Sequence, residues 1–451
     1  MNAHRPRGRR YRGQTQVSVP VQSRFSERAR QTVAVGVLEL FPRSAAIDEG
    51  ALTIGGIRAT KLARDFGTPL LVYCEATLRS QAAAYRDAAP DALIVYGTKA
   101  FPNVAIMRLF SDLGFGADVS TLGELEFARR AGIPGERIVF HGNNKSDEEL
   151  VAAAETRSLV VLDATEEIAR ARRAGVGRTL LRLTPGIEAK THESIRTAHA
   201  ESKFGFDEEQ ALAAVPQARA ALDLVGVHVH IGSQLARLDE SVESVHRLVA
   251  FCRRCQDEHG WTPELVDLGG GLGVRHSRDE HVPTPKQFVD AVVSAFREDW
   301  AGPVQIVLEP GRSLIGRAGV TLYTIGAAKQ SGGIDYVAID GGMSDNPRPQ
   351  LYGARYEALL ATRADEPTNG TFRIAGKHCE SGDVLIDAVA LPTPKRGDML
   401  AVPATGAYTL AMSSNYNGVA RPAAVLVAGG KARLIRKRET IADLLGYETD
   451  P

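Results

Sequence analysis

The sequence predicts an α/β fold: a (β/α)8 TIM barrel plus a C-terminal β domain, a sandwich or barrel completed by strands from the N-terminal end. Three observations predict it. From about residue 70, short β-branched runs alternate with longer stretches rich in Ala, Arg and Glu, the pattern of a parallel sheet covered by helices. The runs number eight over roughly 220 residues, as a closed barrel requires, whereas an open doubly wound sheet usually stops at about six. Polar residues gather at or just beyond the C-terminal end of nearly every run, which packing alone would not arrange.

In chain order the runs are LIVYGTKA (93–100), FGADVS (115–120), RIVFHGNN (137–144), SLVVLDA (158–164), TLLRLTPG (179–186), LVGVHVHIGS (224–233), ELVDLGGG (264–271) and VQIVLEPGR (304–312). Their trailing polar groups are Lys99, Asp118, His141, Asp163, Arg182, His230, the glycines 269–271 and Glu309. Barrel enzymes build their sites at the C-terminal ends of the strands, so these groups are expected to converge on one mouth. Beyond Arg312 come VTLYTIG, YVAID, FRIAG, DMLAVPA, AAVLVAGG and KARLIRK, separated by Gly, Pro and Asp turns. Together with VGVLEL and ALTIGG near the start, they predict the β domain. The expected divisions are a disordered Arg-rich tail at 1–33, N-terminal strands of the β domain at 34–74, the barrel at 75–316 and the β domain proper at 317–451.

Charge and cysteine content narrow the function. The 451 residues hold 54 basic and 54 acidic side chains. Residues 1–33 contain eight arginines against the single acid Glu27, so a net charge of +7 sits on the tail and −7 on the rest. Neutrality overall argues against nucleic acid or an anionic membrane as partner. No run of about 18 apolar residues occurs, and the N-terminus lacks the apolar core of a secretory signal, so a cytoplasmic protein is expected. Four cysteines make no disulfide framework. Cys252 and Cys255 form a CxxC inside the helical pattern SVHRLVAFCRRCQDEHG, without a second pair at metal spacing, and are read as two thiols on a helix. No metal is expected.

The strand ends suggest a cofactor. GGGLG (269–273) follows the seventh run, where barrels cradle phosphate and where glycines such as Gly270 and Gly271 let backbone N–H groups approach an anion. EPGR (309–312) adds Gly311 and Arg312 at the neighbouring end, and HVHIGSQ adds the flat ring of His230 and the hydroxyl of Ser233. Lys99, at the end of the first run, has the position of a lysine that binds pyridoxal phosphate as a Schiff base, and burial there lowers its pKa toward the amine the chemistry needs. Glu309 opposite supplies the carboxylate that keeps a pyridine nitrogen protonated.

Longer motifs make a specific resemblance. YGTKAF (96–101), GADVSTLGEL (116–125), HGNNKS (141–146), SKFGF (202–206), GVHVHIGSQ (226–234), DLGGGLG (267–273), EPGRS (309–313), DGGMSDNPRPQLYGA (340–354), GKHCESGD (376–383), GAYTLAMSSNYN (406–417) and RETIADLL (438–445) occur in this order. The chain thereby resembles the diaminopimelate decarboxylases of the barrel-fold pyridoxal phosphate family from about residue 34 to 447. The resemblance implies Lys99 as the Schiff-base lysine, His230 stacked on the cofactor ring and Glu309 at its pyridine nitrogen. It implies Ser233, Gly270, Gly271 and the turn through Gly311 and Arg312 around the phosphate, with Tyr408 contributing. It also implies a homodimer with shared sites, in which Cys379 and Glu380 act in trans and Cys379 is the proton donor.

The implied substrate, meso-2,6-diaminopimelate, carries a distal carboxylate and a distal ammonium. Arg312, Arg348 and Tyr352 can bind the first by charge-assisted hydrogen bonds, and Glu380 the second, with Tyr408 nearby. The expected reaction yields L-lysine and CO2. The alternatives are a same-fold decarboxylase acting on ornithine, arginine or a carrier-bound glutamyl group, and an amino acid racemase. Racemases on this barrel place an arginine at the pyridine nitrogen, against Glu309.

Overall fold

Eight parallel strands close into a barrel: Leu93–Gly97, Gly116–Val119, Ile138–Phe140, Leu159–Leu162, Arg178–Leu183, Asp223–Val229, Leu265–Asp267 and Gln305–Leu308. The computed structural model describes residues 36–187 and 202–449, so the tail at 1–33 lies outside the described residues. The eighth strand pairs with the first, Val307 opposite Leu93, and the fifth with the sixth, Leu181 opposite Val227.

Side-chain alternation along a strand explains where the site forms. Val95, Val139, Leu159, Val161, Leu180, Val225, Leu265 and Val307 make one apolar cluster, the filled interior of the barrel. Two residues further along the same inner face come His141 after Val139, Asp163 after Val161, Arg182 after Leu180, Asp267 after Leu265 and Glu309 after Val307. The polar layer is thus the next pleat toward the C-terminal mouth. Outward residues such as Ile94, Tyr96, Phe140 and Leu308 pack instead against the surrounding helices. Those helices have sequence-encoded starts: Ser146 and Thr284 each close a capping box, on Asp147–Thr156 and Pro285–Asp299. Cys252 and Cys255 lie buried on helix Asp239–His259, and burial pushes both thiols up.

The β domain is a nine-stranded sheet into which one N-terminal strand is inserted. Leu70–Cys74 lies between Gly319–Ser331, antiparallel to it, and Ala423–Ala428, parallel to it. The sequence reading differs here in three places. The described part of VGVLEL does not form a strand: residues 36–38 are helical, with Val37, Leu40 and Phe41 buried at helical spacing. ALTIGG does contain a strand, Ala51–Ile54, but in a separate three-stranded sheet with Ala46–Asp48 and Ile57–Arg58. That small sheet joins the β domain through Leu52 and Ile54, which share one buried apolar cluster with Leu70 and Val72. Val384–Leu391, unpredicted, pairs with Gly370–Ala375. Among the described residues, no helix is long and apolar enough to cross a membrane.

Candidate active site

A cavity of about 250 Å³ opens at the C-terminal mouth of the barrel. Lys99, His141, Arg182, His228, His230, Ser233, Glu309, Arg312, Tyr352 and Tyr408 all line it. Lys99 follows the first strand on a single 3-10 turn, Thr98–Ala100, and its ammonium is hydrogen-bonded to the buried carboxylate of Asp118 at the end of the second. Burial works against that charge, but Asp118, aided by Tyr408 and Glu309, outweighs it and holds Lys99 above the usual lysine range. The expectation that burial lowers this pKa is therefore reversed, because the strand next door supplies a counter-charge.

Glu309 is clamped between two imidazoles. His141 Nε2 lies 2.6 Å from one carboxylate oxygen and His228 Nε2 3.3 Å from the other. Although burial opposes it, the two histidines hold Glu309 well below the ordinary carboxylate range, so it is ionised. Asp267, on the adjacent strand, is pushed far up by burial and by Glu309. The pair is thus split, Glu309 favouring its charged form and Asp267 its neutral one. His141, His228, Asp267 and Glu309 lie within 4.8 Å of one another, close enough to surround a cation, yet both Glu309 oxygens are already committed to the imidazoles. His230 accepts at Nδ1 from the Gly270 N–H at 3.3 Å, and burial and Lys99 hold it well below its usual pKa, so a neutral ring faces the cavity.

The glycine turn is built for close approach. A Cβ on Gly270 would sit 2.1 Å from the Glu309 carbonyl oxygen, and Gly271, at φ +105, would bring one to 2.4 Å from the Gly232 carbonyl. Ser233 Oγ accepts from Arg312 Nη2 at 3.1 Å, and Tyr408 lies under the Arg312 guanidinium at 4.5 Å. Arg312 Nε and Nη1 are buried without a hydrogen-bond partner, and burial together with Arg348 pulls the group down to about 10. Buried donors on a cation without a carboxylate are an anion site. A neutral ring, an ionised carboxylate, a lysine and this cradle fit pyridoxal phosphate.

Arg348 opens the short helix Arg348–Tyr352, which also carries Tyr352 into the cavity wall. Its guanidinium is buried and donates to His276 Nε2 at 2.7 Å and to the Tyr356 hydroxyl at 2.6 Å. Cys379 and Glu380 are not brought together with Lys99: both are exposed, and Cys379 lines a different groove with Thr68, Asp340, Lys377 and Asn417. Sequence reasoning missed His228, Asp267 and His276 as members of the site. The spacing of His228 to His230 was a usable signal, since residues two apart share a strand face. For His276, in an irregular loop, no periodicity offered one.

The chain matches, over residues 75–316, the family described as pyridoxal-dependent decarboxylase, pyridoxal binding domain. It is 43% identical over 416 residues to the diaminopimelate decarboxylase of Bacillus subtilis, covering 88% of this chain and 94% of that one. With the enzyme of that name from Actinosynnema pretiosum it shares 42% over 422 residues, or 91% and 95% of the two chains. The solved diaminopimelate decarboxylase of M. jannaschii in complex with L-lysine superposes with a TM-score of 0.85 at 34% identity, covering 91% of this chain and 98% of that one. The chain belongs to the pyridoxal-dependent decarboxylases and, among them, to the diaminopimelate decarboxylase family.

Proposed function

We propose that the chain decarboxylates meso-2,6-diaminopimelate to L-lysine and CO2, as a cytoplasmic homodimer with shared sites. The observation that carries the substrate assignment is the pair of buried guanidiniums, Arg312 and Arg348. Neither has a carboxylate partner among the described residues, and Tyr352 stands beside them. An ornithine-type site needs an acid there for an amine, whereas two unpaired cations suit a distal carboxylate.

Lys99 would anchor pyridoxal phosphate covalently, with Arg312, Ser233, Gly270, Gly271, Gly311 and Tyr408 around the phosphate, His230 against the ring and Glu309 at the pyridine nitrogen. When bound, the cofactor supplies a sink for the electron pair released as the bond between Cα and its carboxylate breaks. Glu309, ionised by its two histidines, holds a proton on the ring nitrogen. Arg348, Tyr352 and Arg312 hold the distal carboxylate and so select which end reacts. The Cys379 thiol of the partner subunit delivers the proton that takes the place of CO2 at Cα, and the partner's Glu380 receives the distal ammonium. The exposure of both residues away from the Lys99 cavity supports their service to a second copy. Residues 75–316 would form the cofactor-binding unit and 317–451, with 34–74, the unit that supplies dimer and substrate loops.

The test is CO2 release by holoenzyme from meso-diaminopimelate, L-ornithine, L-arginine and L-lysine. Turnover of diaminopimelate with L-lysine as product is expected; no turnover of it, or preference for ornithine or arginine, overturns the assignment.

A further inference from the structure

Arg348 is held by a neutral partner where an acid would be the ordinary choice. A guanidinium has donors only and keeps its proton, so the nitrogen 2.7 Å away, His276 Nε2, must offer a lone pair. The imidazole proton is then on Nδ1, which faces Glu280 Oε2 at 3.8 Å, while the nearby Gln234 amide nitrogen donates to the Val274 carbonyl at 2.7 Å. Glu280 also accepts the backbone N–H of His276 at 2.6 Å, which fixes the ring's place in the loop. Tyr356 meets the ring edge-on at 5.1 Å and accepts from the same Arg348 nitrogen. The ring is buried, and Arg348 Nε is left without a partner.

The choice of acceptor matters chemically. A carboxylate at this position would neutralise Arg348 and compete with an incoming anion. A neutral imidazole fixes the guanidinium and leaves its full charge for the ligand.

We propose that His276 is the positioning residue for recognition of the distal carboxylate: as a neutral acceptor it aims Arg348, and its protonation releases Arg348 and weakens binding only of ligands that carry that carboxylate. This rests on the reading of Arg348 as a ligand to the distal carboxylate. The charged and titratable groups around the ring are Arg348, Arg312, Glu280 and Tyr356. Burial, joined by the two arginines and opposed by Glu280, depresses His276 to about 4, so the effect belongs to the acid limb.

The experiment compares two ligands of the holoenzyme by spectral titration: L-lysine, which retains the distal carboxylate, and cadaverine, which lacks it. In His276→Phe the dissociation constant for L-lysine and the KM for diaminopimelate rise about 10- to 100-fold, the loss of one hydrogen bond to a charged group. The kcat stays within about twofold and cadaverine binding is unchanged. His276→Gln, with a neutral carbonyl acceptor, restores most of the affinity. In wild type, L-lysine binding weakens relative to cadaverine as the pH falls below 5, and in His276→Gln it does not. This comparison stands even where the Phe variant fails to fold. Equal effects on both ligands, or a fall in kcat at constant KM, overturn the proposal. Arg348→Met separates the two levels. If it leaves L-lysine affinity intact, the reading of Arg348 fails and takes the His276 proposal with it. If it weakens L-lysine while His276→Phe does not, only the His276 proposal fails.

Discussion

The carboxylate of Glu309 and the imidazole of His141 meet at 2.6 Å across 168 residues of sequence, at the mouths of the eighth and third barrel strands. Each reaches the mouth because a buried valine two residues earlier, Val307 or Val139, sets the inward parity of its strand. With His228 on the other oxygen, the clamp makes Glu309 a fixed anion. Glu309→Gln keeps the shape and removes the charge. Its kcat for diaminopimelate is expected to fall by about 10²–10³, the cost of one preorganised electrostatic partner, while substrate affinity changes little. Unchanged kcat would remove Glu309 from the chemistry.

Asp118 keeps Lys99 protonated in the cofactor-free enzyme. Asp118→Asn should lower the Lys99 pKa and raise the rate at which apoenzyme takes up pyridoxal phosphate near pH 7.5 by about tenfold for each unit of the drop. Stopped-flow absorbance of the bound cofactor measures it. A loading rate equal to wild type would mean that another group holds the proton. Lys99→Ala should lose the covalent absorbance altogether.

Arg312 should be costly to the empty protein and valuable to the loaded one. Arg312→Met removes a buried cation without a carboxylate partner, so the apoenzyme is expected to gain about 1–3 kcal/mol in denaturant unfolding. Affinity for pyridoxal phosphate falls about 10- to 100-fold at the same time. Opposite signs for the two quantities are the signature. A destabilised apoenzyme would show that Arg312 is a structural residue.

Cys379 and Lys99 lie in different openings of one chain, so defects in them should complement. By themselves, the Lys99→Ala and Cys379→Ala enzymes are each expected to be inactive. Mixed in equal amounts under subunit exchange, they should recover roughly a quarter of wild-type activity, because half the dimers are mixed and each holds one intact site. No recovery despite exchange, verified by mass spectrometry, counts against a site shared between subunits.

His228 is fully buried, and burial pushes it down to about 4 despite Glu309. The unfolded chain, with an ordinary imidazole near 6.5, takes up the proton first as the pH falls. The stability this neutral ring contributes is therefore complete at neutral pH and lost between about 6.5 and 4. From this group the apoenzyme should lose about 2 kcal/mol between pH 8 and pH 5. Urea unfolding at the two values checks it, and His228→Asn should flatten that part of the slope. Parallel slopes in variant and wild type would mean that His228 does not stay neutral on folding.

Much of the fold and most of the site were legible because their signals are local. Strand count, helix alternation and the polar residue two positions beyond inward residues such as Val139, Val161, Leu180, Leu265 and Val307 are properties of short windows, and the pleat turns them into an apolar layer beneath a polar one. The same locality misled at VGVLEL, where a six-residue apolar window fits a strand as well as the helical turn that buries Val37, Leu40 and Phe41. It was silent at Val384–Leu391, whose partner strand Gly370–Ala375 is needed to define it.

The sequence by itself determined the barrel, the cofactor class and the residue types at each strand end. Only the tertiary structure decided which of those groups are charged and which are paired. Lys99 keeps its proton because Asp118 is the neighbouring strand's end, Glu309 is ionised because two distant histidines close on it, and Arg348 keeps its charge free because His276, 72 positions away, accepts its hydrogen bond as a neutral ring. Protonation follows from burial and from neighbours in space, and those neighbours exist only after the barrel has closed.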